Sequence, residues 1–331
     1  MRAAHYTRTG PAAEVLQVGD WPDPVAGDGE VLVRLSASGI NPADVKRRGG
    51  WGGLAMEHPA VIPHCDGAGT VVAVGAGVEP ERVGTRVWLW NAQGGYGESG
   101  RAFGTAAEYV ALPSAQAVPL ADGVSFAQGA CLGVPAMTAY ACVMADGPIT
   151  GQTLLVQGGA GAVGHLAIQI AKAGGARVLA TVSGPEGAAH AAAAGAETID
   201  RHRHDVAARV LDETDGSGVD RVVEVDLAAN QETDIAVLRR SGTLASYSSS
   251  SDPTPPFPYY SYAAKGLTLR IVQGFGLPRD LRAAGQAFLA TTPLEISVGA
   301  TFSLDQIAQA HARVERGALG QTVIDLDAQR A

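Results

Sequence analysis

Three glycines at one spacing, Gly159, Gly161 and Gly164, have the clearest chemical use in this 331-residue chain. They lie in Gly158-Gly159-Ala160-Gly161-Ala162-Val163-Gly164, after the apolar run Leu154-Leu155-Val156 and before Leu166, Ala167 and Ile170, which recur at helical spacing. A G-x-G-x-x-G segment in this setting turns a buried strand tightly into a helix and lets a ligand approach the backbone. It also aims the unpaired N–H groups and positive dipole end of the helix at a diphosphate. With 43 glycines in the chain, spacing alone is a weak signal. Its place between a strand and a helix, with a second apolar run at 177–182 beyond, raises it to a dinucleotide site made by residues 159–164.

Elements on both sides must hold that turn. Residues 123–272 alternate apolar runs near 154, 177, 221, 242 and 267 with alanine-rich helical stretches such as 125–145 and 186–194, which predicts a doubly wound parallel sheet. Residues 1–122 carry short apolar runs at 31–35, 70–74, 86–90 and 108–112, separated by Gly and Pro, with no long helical period. The tail reads as a helix near 279–291, a strand near 296–302, a helix over 303–316 capped by Ser303, and a strand over 322–326. Its β character returns it to the first lobe. The expected fold class is therefore α/β, with a parallel Rossmann-type domain over 123–272 inserted into a β-rich domain of 1–122 and 273–331.

Composition excludes other classes. A net charge of −9 without a basic block removes the phosphate attraction that nucleic-acid binding needs. Cys65, Cys131 and Cys142 are sparse, odd in number and without a C-x-x-C, which argues for a reducing compartment and against a disulfide scaffold. No stretch reads as a membrane span or a signal core, so a cytoplasmic location is expected.

Beyond the glycine loop, Gly39-Ile40-Asn41-Pro42-Ala43-Asp44, the block Ile62-Pro63-His64-Cys65-Asp66-Gly67-Ala68-Gly69, and Gly151-Gln152 with Gln169 and Lys172 complete a pattern. Nearly the whole chain thereby resembles the medium-chain dehydrogenase/reductase superfamily and, within it, the zinc-free quinone oxidoreductase or zeta-crystallin group. Ala162 departs from the glycine usual there but keeps a small side chain. The resemblance implies a GroES-like first domain, a homodimer joined through an edge strand near 267–272, and an NADPH-dependent reductase of quinones or, alternatively, of α,β-unsaturated carbonyls. A non-catalytic or RNA-associated nucleotide-binding protein is the rival from another class. Zinc-dependent members share the architecture, but their ligand positions here hold Asn41, Cys65 and Val134, which cannot make that site. His64 beside Cys65 offers no metal pair if strand alternation turns the two apart.

NADPH is favoured over NADH on residues. The second strand of the parallel sheet ends in Thr181-Val182-Ser183 with no carboxylate to bind a ribose 2′-OH and repel a 2′-phosphate. Arg201 and Arg203, with His202 and His204, follow the next strand-like segment; by resemblance this region meets the adenosine phosphate, although a solvated basic loop fits the same residues. Hydride delivery to a quinone or enone needs a donor near the oxygen that gains charge. By resemblance Asn41 lines the nicotinamide pocket as that donor, Lys46 stands where many members have tyrosine, and Thr138 sits at the nicotinamide edge. Tyr247, at the end of its strand, joins the cofactor set. Lys46 beside Arg47 and Arg48 also reads as a solvated face. Trp88, Trp90 and Asn91 are candidate walls of the acceptor pocket, with plain strand packing the alternative.

Overall fold

The computed structural model describes residues 1–94 and 101–328. Contacts divide the chain into two units, Met1–Pro135 with Ile296–Ala331, and Ala136–Glu295.

The first unit is built on the long strand Glu30–Ile40. Val31, Val33 and Leu35 are fully buried while Arg34 between them is exposed, the period-two pattern of a half-buried strand. From Ser36 onward every residue is buried, so the strand dives under a second layer. It pairs antiparallel with Asp66–Val74 on one side, and with Tyr109–Pro113 and then Gln321–Asp325 on the other. Val298–Ser303, Arg86–Leu89 and Ala117–Pro119 complete seven strands. The tail thus returns to the first lobe. The core collects Leu35, Ile62, Val87, Leu89 and Leu112, all fully buried, each contributing about 2 kcal/mol from area alone.

The β-rich unit nevertheless carries a helix, Pro42–Gly49, that the absence of a long apolar period concealed. It is set by local chemistry instead: proline in its first turn, the Asp44 carboxylate accepting the Asn41 N–H at 2.7 Å, and Gly50 closing it at φ 70°.

The second unit is a six-stranded, all-parallel sheet in the order Glu197–Asp200, Arg177–Val182, Thr153–Val156, Val219–Glu224, Leu238–Ser246, Thr268–Ile271. Leu154, Leu155 and Val156 are fully buried, as a strand covered on both faces must be. The strand order reverses beside Thr153–Val156, which makes the carboxyl end of this strand and of Val219–Glu224 the switch point where such sheets bind ligands.

The single helix expected over 125–145 is two. Ser125 caps Phe126–Gly129, and Gly133–Met144 follows after a break. Gly133 explains the break: a Cβ there would lie 2.0 Å from Asp66 Oδ1, so that turn is shaped by a tertiary contact rather than by helix propensity. The unit limits also lie further along the chain than 122 and 272. Gly39 packs its Cα against the Ala130 carbonyl, which ties residues near 130 to the first unit. Gly285 in the helix Arg279–Thr291 abuts Met137 and Tyr140, which ties that helix to the second.

Candidate functional site

In the second unit the glycine loop leaves the carboxyl end of Thr153–Val156 and enters the helix Ala162–Ala173. Gly158 turns the chain at φ +70° and gives its N–H to Thr181 Oγ1 at 2.9 Å. A Cβ on Gly159 would lie 2.7 Å from Ala180 Cβ, and one on Gly164 would lie 2.3 Å from the Gly158 carbonyl oxygen, so both positions are required for packing. Gly161 differs. A Cβ there would meet only the Gly158 oxygen at 3.3 Å, and the residue is exposed. Gly161 is also the N-cap, and no side chain caps the helix, so the amides opening it at Ala162, Val163 and Gly164 lack the usual side-chain acceptor. This surface, bordered by half-buried Ala160, can accept the oxygens of a diphosphate.

Ser183 and Arg201, from the ends of neighbouring strands, meet in a hydrogen bond of 2.9 Å from Arg201 Nε to Ser183 Oγ. Both are exposed, as are His202, Arg203 and His204. No carboxylate interrupts the strand end at Thr181-Val182-Ser183. Thr138 is buried on Gly133–Met144. Tyr247 is half-buried and its N–H bonds the Glu224 carbonyl at 3.1 Å; burial, with Cys142 and Glu224 nearby, pushes its phenol well above the usual range.

In the first unit Asn41 is buried, and its Nδ2 donates to Asp66 Oδ2 at 2.7 Å. The same oxygen accepts the Val134 N–H at 2.8 Å, and the Asn91 amide adds to the site. An amide nitrogen carries two donors, so Asn41 keeps one N–H beyond the bond to Asp66. Burial raises the Asp66 carboxyl to about 8 against the pull of Asn41, and raises Asp44 to about 6. Lys46, half-buried on Pro42–Gly49, stands over the Trp51 ring at 4.7 Å. The neighbouring basic run is no solvated face, because Arg48 is 2% exposed and bonds Gly10 O and Glu315. A small open cleft lies between Tyr6, Arg47, Met56, His58, Gln93 and Arg101. Trp88 and Trp90 do not line it: they are 3% and 2% exposed, with Trp88 paired between Ala68 and Val118 inside the sheet. Asn91, buried beside them, takes φ 55° and accepts Gln116 Nε2 at its carbonyl. His64 and Cys65 do point apart, for another reason than strand alternation. His64 adopts φ 79° ahead of the strand and bonds Ser38 and His311, while Cys65 donates to Gln93.

Sequence reasoning missed Asp66, although it lies in a motif block that was singled out. It also missed Glu224, Gln157 and Asp234, buried polar residues whose partners lie far along the chain. The one signal in sequence was at Glu224, a carboxylate between Val223 and Val225 in an apolar run.

The positions of zinc ligands in related enzymes hold donors that do not fit the metal. Of the three positions only Cys65 carries a zinc-ligating side chain, against the amide of Asn41 and the aliphatic Val134, and the Asp66 carboxyl is already bonded to Asn41 and to the Val134 N–H. Among the described residues no group of three or more His, Cys, Asp or Glu is placed to hold a metal ion.

Two family descriptions match the chain: an alcohol dehydrogenase GroES-like domain over 27–122 and a zinc-binding dehydrogenase domain over 162–290. A quinone oxidoreductase of Pseudomonas aeruginosa is 31% identical over 326 residues, covering 94% of this chain and 95% of that protein. A mycobacterial protein solved in complex with NADPH superposes with a TM-score of 0.83 at 29% identity, covering 98% of this chain and all of that one. A solved NAD-dependent alcohol dehydrogenase reaches 0.87 at 30% identity with the same coverage.

Proposed function

Because the chain belongs to the medium-chain dehydrogenase/reductase superfamily, in its quinone oxidoreductase group, we propose that it transfers hydride from NADPH to a quinone. The observation that carries this reading is the uncapped helix start behind exposed Gly161, a cradle of backbone amides that a side chain neither fills nor blocks. NADPH is preferred because Ser183 and the guanidinium of Arg201 stand together where an NAD site would place a carboxylate, and a guanidinium pairs well with a phosphate. Bound there, NADPH supplies the hydride. Residues 159–164 hold its diphosphate, Thr138 and Tyr247 belong to the cofactor set, and Asn41 and Lys46 are the proposed donors to the acceptor oxygen. Trp88, Trp90 and Asn91 act behind the acceptor pocket, as sheet packing, rather than as its walls.

The activity is zinc-independent on this reading, since the donor set described above cannot bind the ion. Dimerisation is supported by the edge strand Thr268–Ile271, whose Ile271 is 67% exposed, with Phe257, Tyr259 and Tyr260 also exposed. A cytoplasmic location agrees with three buried free cysteines; among the described residues no helix is long and apolar enough to cross a membrane.

The test is the loss of nicotinamide absorbance when purified protein, treated with a chelator, is mixed with NADPH and a panel of quinones and enones. Turnover of quinones is expected. Turnover of enones alone, or NADPH binding without turnover of either, would overturn the assignment.

A further inference from the structure

Beneath the glycine loop runs a single file of buried hydrogen bonds with one direction. Gly158 N–H donates to Thr181 Oγ1 at 2.9 Å, Thr181 Oγ1 donates to Gln157 Oε1 at 2.8 Å, and Gln157 Nε2 donates to Asp234 Oδ1 at 2.8 Å. Asp234 and Glu224 are both fully buried and share a hydrogen bond between their carboxyls. Glu224 in turn accepts Asn230 Nδ2 at 3.0 and 3.2 Å and the Asp226 N–H. Two carboxylates at this depth cannot both be ionised, because neither is paired with a cation.

The hydrogen-bond pattern says which one holds the proton. Both Glu224 oxygens are supplied with N–H donors, as an ionised carboxylate requires. Asp234 Oδ2 is buried and receives no N–H or O–H donor, so a proton on it, given to Glu224, satisfies it. Burial and the charge of Glu224 push the Asp234 carboxyl well above its usual range. The other titratable groups facing the pair are Asp226, Tyr247 and Tyr262; Tyr262 donates to Gln231 and its phenol lies at about 12.

We propose that Asp234 is a positioning residue for the nucleotide-binding loop: by donating to Glu224 and accepting from Gln157, it holds Gly158 in place through Thr181. The consequence reaches the ligand surface because the Gly158 carbonyl accepts the Gly161 N–H at 3.0 Å and lies against Gly164, so a shift of Gly158 moves the amides that open the helix. Gln157 has one competent orientation, since a flipped amide would face donor to donor at Thr181 and acceptor to acceptor at Asp234. Loss of the Asp234 proton places two buried charges together and removes the donor that anchors the file.

This inference rests on the NADPH reading, and its test separates the two. NADPH is titrated by fluorescence into the full-length wild type, Asp234→Asn and Asp234→Leu between pH 6 and 10, with folding checked by thermal melts. Asparagine keeps one donor and one acceptor at this position and does not titrate; leucine keeps the volume and loses both. We expect Asp234→Leu to weaken NADPH about tenfold, the size of one unmade buried bond, with kcat at saturating NADPH changed less than about twofold. Wild type should lose affinity toward alkaline pH, whereas Asp234→Asn should bind like wild type at neutral pH and hold its affinity at alkaline pH. The comparison with Asp234→Asn also isolates Asp234 from Asp66, whose carboxyl burial raises to about 8 and which the substitution leaves in place. Wild-type affinity in a folded Asp234→Leu, or the same alkaline loss in wild type and Asp234→Asn, would overturn the inference while leaving NADPH binding intact. A wild type that takes up no NADPH would overturn both. If Asp234→Leu does not fold, the alkaline comparison with Asp234→Asn decides alone.

Discussion

In the unit Ala136–Glu295 the groups proposed to meet a ligand are backbone amides at 162–164, whereas in the other unit they are the side chains of Asn41 and its neighbours. The first kind of surface is made by removing side chains, and the second by stacking buried polar groups one behind another. Each therefore fails differently: the loop through added bulk, the side-chain cluster through lost partners.

Five variants would break or sharpen that contrast. The largest effect is expected from Gly164→Ala, whose new methyl would lie 2.3 Å from the Gly158 oxygen. A loss of about 3 kcal/mol in unfolding free energy should appear in denaturant melts. Gly161→Val should leave those melts unchanged and abolish NADPH binding; equal damage to stability at both positions would show that Gly161 only packs.

Acid should strike the first unit hard. Burial holds His311 at about 3 and His64 well below its usual range, and the two rings share a 2.9 Å contact with no carboxylate between them. A histidine whose folded pKa is depressed binds fewer protons folded than unfolded, so stability falls as pH drops below about 6.5, by roughly 3 kcal/mol from His311 alone on reaching pH 4. His165 in the other unit, held at about 4, acts in the same sense. Melts of His311→Gln against wild type therefore isolate the first pair, and a pH slope identical in both proteins would contradict it.

Asp66→Ala should lower kcat about 30-fold, a loss near 2 kcal/mol, with NADPH affinity kept, because it frees the Asn41 amide to turn and leaves the Val134 N–H unpaired. An equal change in kcat and in NADPH affinity would mean that Asp66 serves the fold rather than Asn41. The smallest effect is expected from Arg201→Ala, which should weaken NADPH about fivefold and leave NADH binding unchanged, as read by parallel fluorescence titrations.

The contrast also explains what could be read from the chain. The loop was legible because every part of it is local: a strand, three glycines and a helix fall within some twenty residues, and two of the glycines, Gly159 and Gly164, have a steric reason. The parallel sheet followed from the same alternation, and Ser183 with Arg201 from the strand ends that the alternation places side by side. Asn41 and Asp66 are 25 residues apart, and nothing in either stretch says that one amide orients on the other carboxyl. Gln157 and Asp234 are 77 apart and lie in different βα units. The helix Pro42–Gly49 escaped because caps, and not apolar periodicity, define it. Trp88 and Trp90 could be read two ways because an aromatic in a strand looks alike in sequence whether it faces a cavity or the next layer.

The exposed hydrogen bond between Arg201 and Ser183 has an evolutionary side. Both residues stand at the solvent margin, touch no apolar core, and follow strand ends where insertions and exchanges are tolerated. On the proposed NADPH reading, a lineage retunes which reductant pool it draws upon by exchanging two peripheral side chains, while Gly159 and Gly164 beneath them stay under steric discipline.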